Sequence, residues 1–227
     1  EITAAVVGNY VYDIDTTGTS SKSILFISAN DAADTDLSKD WTADARAYFT
    51  DGTNKKITVD KVNGKDLRKT DESGYTTVAK DGLANTMFTY TTDKDGNYEL
   101  KALANASTGV AKNLAGYDYY NTTATSYKSA TIPAPSSNDT AYQNKRLNGT
   151  LIADDAVLFV SAGTEVKVIS GKAARDWADS VKVTNKGFLT KESNGIDYVK
   201  VAALVTTDSK VANADGDKLY AYVTEDA

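Results

Sequence analysis

The chain has neither cysteine nor histidine among its 227 residues. Without a thiol there is no disulfide framework, no thiolate nucleophile and no thiolate metal site. Without imidazole, Ser-His-Asp and Cys-His catalysis, HExxH zinc centres and all other imidazole-dependent sites are excluded. Long apolar runs are missing too: none approaches the roughly 20 residues that span a bilayer, so no transmembrane segment is expected. The opening EITAAVVGNY lacks a basic stretch followed by an apolar one, and reads as a mature chain or as part of something longer. Basic charge is in the minority, with 25 Lys and Arg against 31 Asp and Glu, a net charge of -6 and a pI near 4.8. A nucleic-acid surface needs clustered cations to release counterions, so no nucleic-acid partner is expected.

What remains is polar and strand-prone. Hydrophobic residues make up 41% and charged residues 25% of the chain, enough apolar material for one generous core or two small ones. Its apolar segments are short and alternate with period two or form brief continuous runs, which is the signature of strands. Strands are expected at residues 4–14, 23–28, 45–50, 56–62, 87–92, 98–103, 147–152, 156–160, 165–169, 180–184, 187–191, 198–205 and 218–224. The connections TDGTNKK, DKDGN, KESNG and NADGD contain Gly and Asn, which reach positive φ, and Asp, which caps turns through its side chain. Only SKDWTADA and SGKAARDWADS read as short helices, with Ser or Asp as caps.

The expected fold is mainly β: antiparallel, hairpin-rich, sandwich or barrel-like in one or two modules, with one or two short helices. Residues 1–80 are expected to form one β module and 81–227 a second, or the two a single continuous unit. Loops are expected at 67–75 and at 121–145, the latter either an excursion over the surface or partly paired with its neighbours. The two ends echo one another, ITAAVVGNYVYDID near the start and VKVAALV followed by KLYAYVTED near the finish. That echo is expected if the chain is slightly more than one period of a tandem array.

Four stretches in order, ARAYFTDGTNKKITVD, GLANTMFTYTTDKDGNYELKAL, LIADDAVLFVSAGTEVKVISGK and GFLTKESNGIDYVKVAALV, give the chain a family likeness. It resembles the β-rich region of bacterial S-layer homology (SLH) domain-containing surface proteins of Firmicutes, over about three quarters of its length. The resemblance implies an exported, extracellular, modular protein with a structural or adhesive task and no catalytic residues. The helical wall-anchoring repeats of that family are not visible here, so wall binding is carried over to no residue.

Candidate sites follow from the acids and the tyrosines. In TTDKDGNYEL, Asp93, Asp95, Asn97 and Glu99 pose a choice between calcium and a turn. An EF-hand loop places oxygen ligands at positions 1, 3 and 5 and Gly at 6. Here Gly96 follows Asp95 directly, the third ligand is missing, and Asp-Gly between alternating segments marks a hairpin. A denser set, Asp31, Asp34, Asp36 and Asp40, with Asp44 beyond it, either holds Ca²⁺, the one cofactor considered, or forms a solvated surface in which Asp36 or Ser38 caps a helix. AGYDYYNTTATSY gathers Tyr117, Tyr119, Tyr120 and Tyr127, whose amphipathic rings suit sugar faces and equally suit packing in sheets. Asp154 and Asp155 adjoin in IADDAV, and neighbours on a strand point to opposite faces, so they do not form a catalytic pair. Trp41 and Trp177 are expected to anchor connectors on a sheet.

The function expected from these features is that of a non-catalytic structural module of an exported cell-surface protein, S-layer-like or filament-forming. Its partners would be neighbouring copies, other envelope components and glycans. The alternative is a carbohydrate-binding or adhesin module built on the Tyr-rich segment 117–127.

Overall fold

The computed structural model describes residues 3–7, 10–15, 24–35, 41–68, 73–103, 114, 116–120, 129–132, 146–163, 165–175 and 181–207. The first half contributes β1 (Thr3–Val7), β2 (Tyr10–Asp15), β3 (Ile24–Asn30), β4 (Asp34–Thr35), β5 (Trp41–Phe49), β6 (Asn54–Val62), β7 (Lys65–Arg68), β8 (Thr76–Thr77), β9 (Thr86–Thr92) and β10 (Tyr98–Ala102). The second contributes β11 (Asp118–Tyr120), β12 (Ser129–Ile132), β13 (Arg146–Leu147), β14 (Thr150–Ala162), β15 (Glu165–Ser170), α1 (Gly171–Arg175), β16 (Val181–Ser193) and β17 (Ile196–Thr206). The fold is mainly β, as expected.

Local turn chemistry sets several of the pairings. Asn63-Gly64, Asn148-Gly149 and Asn194-Gly195 all have positive φ, 54° and 77°, 49° and 84°, and 53° and 76°. Two successive left-handed residues give the type I′ turn, whose twist matches that of paired strands. These turns close the hairpins β6–β7, β13–β14 and β16–β17. Asn148, which also begins a glycosylation-type triplet, thus has a structural reason to be Asn.

In the first half, β9, β3, β5 and β6 lie side by side and antiparallel. This is the Greek-key order, with the fourth strand returning beside the first. β10 leaves β9 by a hairpin and pairs parallel with β6, which closes a five-stranded ring. A ring this narrow has little interior room, so small inward residues alternate with larger ones. Ala43, Ala45 and Ala47 of β5 accordingly face Leu25, Ile27, Ile57, Val59 and Leu100 in one core.

The second half repeats that path. β12, β13, β14, β16 and β17 take the places of β3, β5, β6, β9 and β10. Pairs β12–β16, β16–β17 and β13–β14 are antiparallel and β14–β17 is parallel. Even the return strands correspond, since β7 folds back along β6 and β15 folds back along β14. Among the described residues no ladder joins β12 to β13, so this second sheet is not closed by pairing there. Leu147, Ile152, Leu158, Phe188 and Leu204 head its own core.

A third apolar layer joins the two halves. Ile24, Phe26 and Met87 from the ring meet Phe159, Leu189, Val201 and Ala203 from the second sheet. The rings of Phe26 and Phe159 stack at 5.5 Å between centroids and 15° between planes. This explains the continuous apolar run ILFI: Leu25 and Ile27 point into the ring while Ile24 and Phe26 point into the layer.

Several expectations are corrected. A division between residues 80 and 81 would split the ring, because β9 and β10 pair with β3 and β6. In place of the single strand expected over 4–14 there are two, β1 and β2, paired antiparallel. The helix expected over SKDWTADA is strand from Trp41 onward, where alanines are needed inside the ring; Ser38 to Asp40 lie outside the described residues. Residues 147–160 hold one long bent strand, β14, preceded by the short β13, and residues 181–191 of the two strands expected next fall within β16, Ser180 lying outside the described residues. The helix expected near 170 is α1, with the Ser170 hydroxyl accepting the amide of Ala173 at 3.0 Å as its cap. Within the 121–145 stretch, β12 pairs with β16. The strand expected at 218–224 and Trp177 lie outside the described residues.

Candidate functional site

The DKDGN turn is built on Asp93. Its Oδ1 accepts the backbone N–H groups of Asp95 (2.9 Å) and Asn97 (2.8 Å), and its Oδ2 accepts the Asn97 side-chain amide (3.2 Å). The Asp93 N–H donates to the Asn97 carbonyl at 3.0 Å, and Gly96 takes a φ of 85°. The Asn97 amide, followed by the other donors of the turn, holds the Asp93 carboxyl below the usual carboxylate range. Asp95 lies against the ammonium of Lys94. The carboxylates of this loop are thus engaged with turn donors and a neighbouring lysine.

The acidic set divides. Asp34 is exposed and accepts the amide of Thr35 at 2.8 Å. Asp36 and Asp40 lie outside the described residues. Asp31 instead lines a shallow cleft of about 340 Å³ with Asp44, Asp81, Arg46, Lys56 and Lys80. In the lining of this cleft, buried Asn30 clamps the 79–83 turn. Its Nδ2 donates to the carbonyls of Asp31 (2.8 Å) and Ala79 (2.9 Å), and its Oδ1 accepts the amide of Leu83 (2.8 Å). Lys56 pairs with Asp44 at 2.6 Å, which raises the lysine pKa through that hydrogen bond. Among the described residues no group of three or more His, Cys, Asp or Glu side chains is arranged to hold a metal ion.

The tyrosines also divide, because successive residues of a strand face opposite ways. Tyr119 points into the layer between the halves, is 8% exposed, and burial raises its phenol pKa. Its ring packs against Gly187, where a β-carbon would come 2.5 Å from the Tyr119 oxygen. Tyr120 points the other way and stacks on Phe188 at 4.8 Å and 12°. Tyr127 lies outside the described residues. Tyr117, just before β11, is half-buried, with the Lys191 ammonium 5.3 Å from its ring centre. The four-tyrosine cluster is therefore not one surface: the three described rings all pack against the apolar clusters, Tyr117 and Tyr119 on the layer between the halves and Tyr120 on the core of the second sheet.

Tyr117 borders a second cavity, of about 310 Å³, with Asp155, Lys191, Glu192 and Lys200. A distortion of β14 brings Asp155 there. Residues 152 to 157 of β14 span what β17 covers from 199 to 201, so the strand bulges at the two aspartates. Asp154 and Asp155 are consequently both exposed and do not alternate across the sheet. Asp155 pairs with Lys200 at 2.7 and 2.9 Å. The sequence reading missed this pairing because period-two alternation cannot register a bulge.

Among the described residues no helix is long and apolar enough to cross a membrane. No family model, curated protein or solved structure matches this chain.

Proposed function

We propose that this chain is a non-catalytic structural module of an exported bacterial surface protein, S-layer-like or filament-forming, that works within a tandem array of similar β units. The carrying observation is the repeated five-strand path, whose second copy packs on the first through a continuous apolar layer. A unit that already joins a topological copy of itself has the kind of surface that extends into an array. The resemblance to the β-rich region of SLH-containing proteins supports the same reading, and with it a position outside the cell in contact with its own copies or other envelope components. The side chains that first suggested chemistry at the DKDGN loop and at Tyr119 and Tyr120 have structural work, which favours a module over an enzyme.

Sedimentation of a longer natural chain that includes this segment tests the reading. Concentration-dependent association into regular oligomers is expected. A strictly monomeric species at all concentrations would remove the assembly role.

A further inference from the structure

Apart from the array, the cavity beside Tyr117 sets charged side chains around a half-buried ring that also packs against the apolar layer between the halves. Two backbone irregularities converge on it. One is the β14 bulge that turns Asp155 outward; the other lies between Leu189 and Thr190 of β16, opposite Val201 and Val199. Bulges re-aim side chains out of the regular alternation, and they recur beside binding sites for that reason. The result is a concavity of about 310 Å³ that joins one aromatic ring to two carboxylates and two ammonium groups, those of Tyr117, Asp155, Glu192, Lys191 and Lys200.

We propose that this cavity binds a neutral pyranose unit of a glycan. Its volume lies at the small end of ligand sites, which suits a single ring better than an extended ligand. Its charges balance, with Asp155 and Glu192 against Lys191 and Lys200, and Asp155 and Lys200 already neutralise one another. A balanced site gives little advantage to a phosphate, a metal ion or an acidic sugar, whereas paired charged groups donate to and accept from hydroxyls. The flat ring supplies what charged groups lack, a surface for the C–H face of a sugar. The exposed Lys191 covers one face of the Tyr117 ring, its ammonium 5.3 Å from the ring centre, so a sugar stacking there has only a solvent-facing side chain to displace. The other cleft, around Asn30, has mixed charges but no aromatic lining, so it lacks this combination.

The test is titration of the isotope-labelled 227-residue chain with neutral oligosaccharides (cellotetraose, maltotetraose, mannotriose, diacetylchitobiose) and with tetragalacturonate as the acidic probe, followed by backbone amide shifts. At least one neutral probe is expected to shift the amides of Tyr117, Asp155, Lys191 and Lys200 saturably. Tyr117→Ala should weaken that binding about tenfold or more, and Tyr117→Phe, which keeps the ring, by less than about threefold. Should Tyr117→Ala unfold, Lys191→Ala at an exposed position serves instead and should also weaken binding. No shift at these amides with any neutral probe up to about 10 mM would overturn the proposal. So would preference for the acidic probe, or unchanged binding in both alanine variants. Failure here leaves the association measured by sedimentation untouched, so the two readings fall separately.

Discussion

Asp93 holds the 93–97 turn through two backbone amides and one side-chain amide, and these donors favour its charged form. A carboxyl with a depressed folded pKa contributes stability above its unfolded pKa, and that contribution is lost as pH falls through the folded value. The Asp93 carboxyl should therefore titrate below an ordinary aspartate, and the Asp95 and Asn97 amides should lose exchange protection only at that lower pH. Titration of Asp93 at an ordinary value would show that the turn is not held this way. The sequence narrowed this loop to a turn, since Gly96 comes too early for an EF-hand, but not to a five-residue loop with Asp93 at its hub. That detail depends on which amides the backbone aims at the carboxylate. At Gly187 the constraint is the neighbour: φ is 140° and Tyr119 occupies the space of a β-carbon. Gly187→Ala is expected to cost about 2–3 kcal/mol in urea unfolding. Gly52, also at positive φ but with nothing within 4 Å, should cost about 1 kcal/mol on the same change. Equal losses would mean that Tyr119 does not press on Gly187.

Among the elements, β14 shows what residue patterns miss. Its two apolar stretches read as separate strands because IADDA interrupts the alternation, yet the chain continues as one strand that bulges there. The bulge rests on Gly171 at the start of α1, where a β-carbon would overlap the Ala153 carbonyl and come 2.9 Å from the Ile152 side chain. Gly171→Ala should cost about 3 kcal/mol, because rigid backbone rather than a flexible side chain must move. A loss no greater than at Gly52 would show that the bulge and helix are not packed together. β5 was misread at its start for another reason. Its alanines carry helix propensity, and only the narrow ring makes Ala43, Ala45 and Ala47 the right residues for a strand. The hairpins at 93–97 and 194–195 were legible from a Gly-bearing turn between two alternating runs, whereas those at Asn63-Gly64 and Asn148-Gly149 were not, because one of the two paired strands is only two to four residues long.

For the whole molecule, the repeated path was invisible in the residues because ring closure depends on pairings between distant segments. The parallel pair β6–β10 joins residues near 60 to residues near 99, and no local signal separates that partner from another. The echo between the chain ends hinted at an array, but the repeat found here runs between the two halves. Their union rests on the shared layer, where Phe26 and Phe159 are both fully buried. Phe26→Ala should cost about 3–5 kcal/mol. It should also separate the unfolding of the two halves, since the ring and the second sheet each keep a core of their own. One unchanged, cooperative transition in this variant would show that Phe26 does not couple them.

The proposed role of these paired β units is to build a regular surface assembly. Electron microscopy of isolated envelopes, with an antibody against this chain, tests it most directly. Label on a periodic lattice or filament at the cell surface is expected. Label confined to dispersed, non-periodic particles, or found only inside the cell, would contradict it.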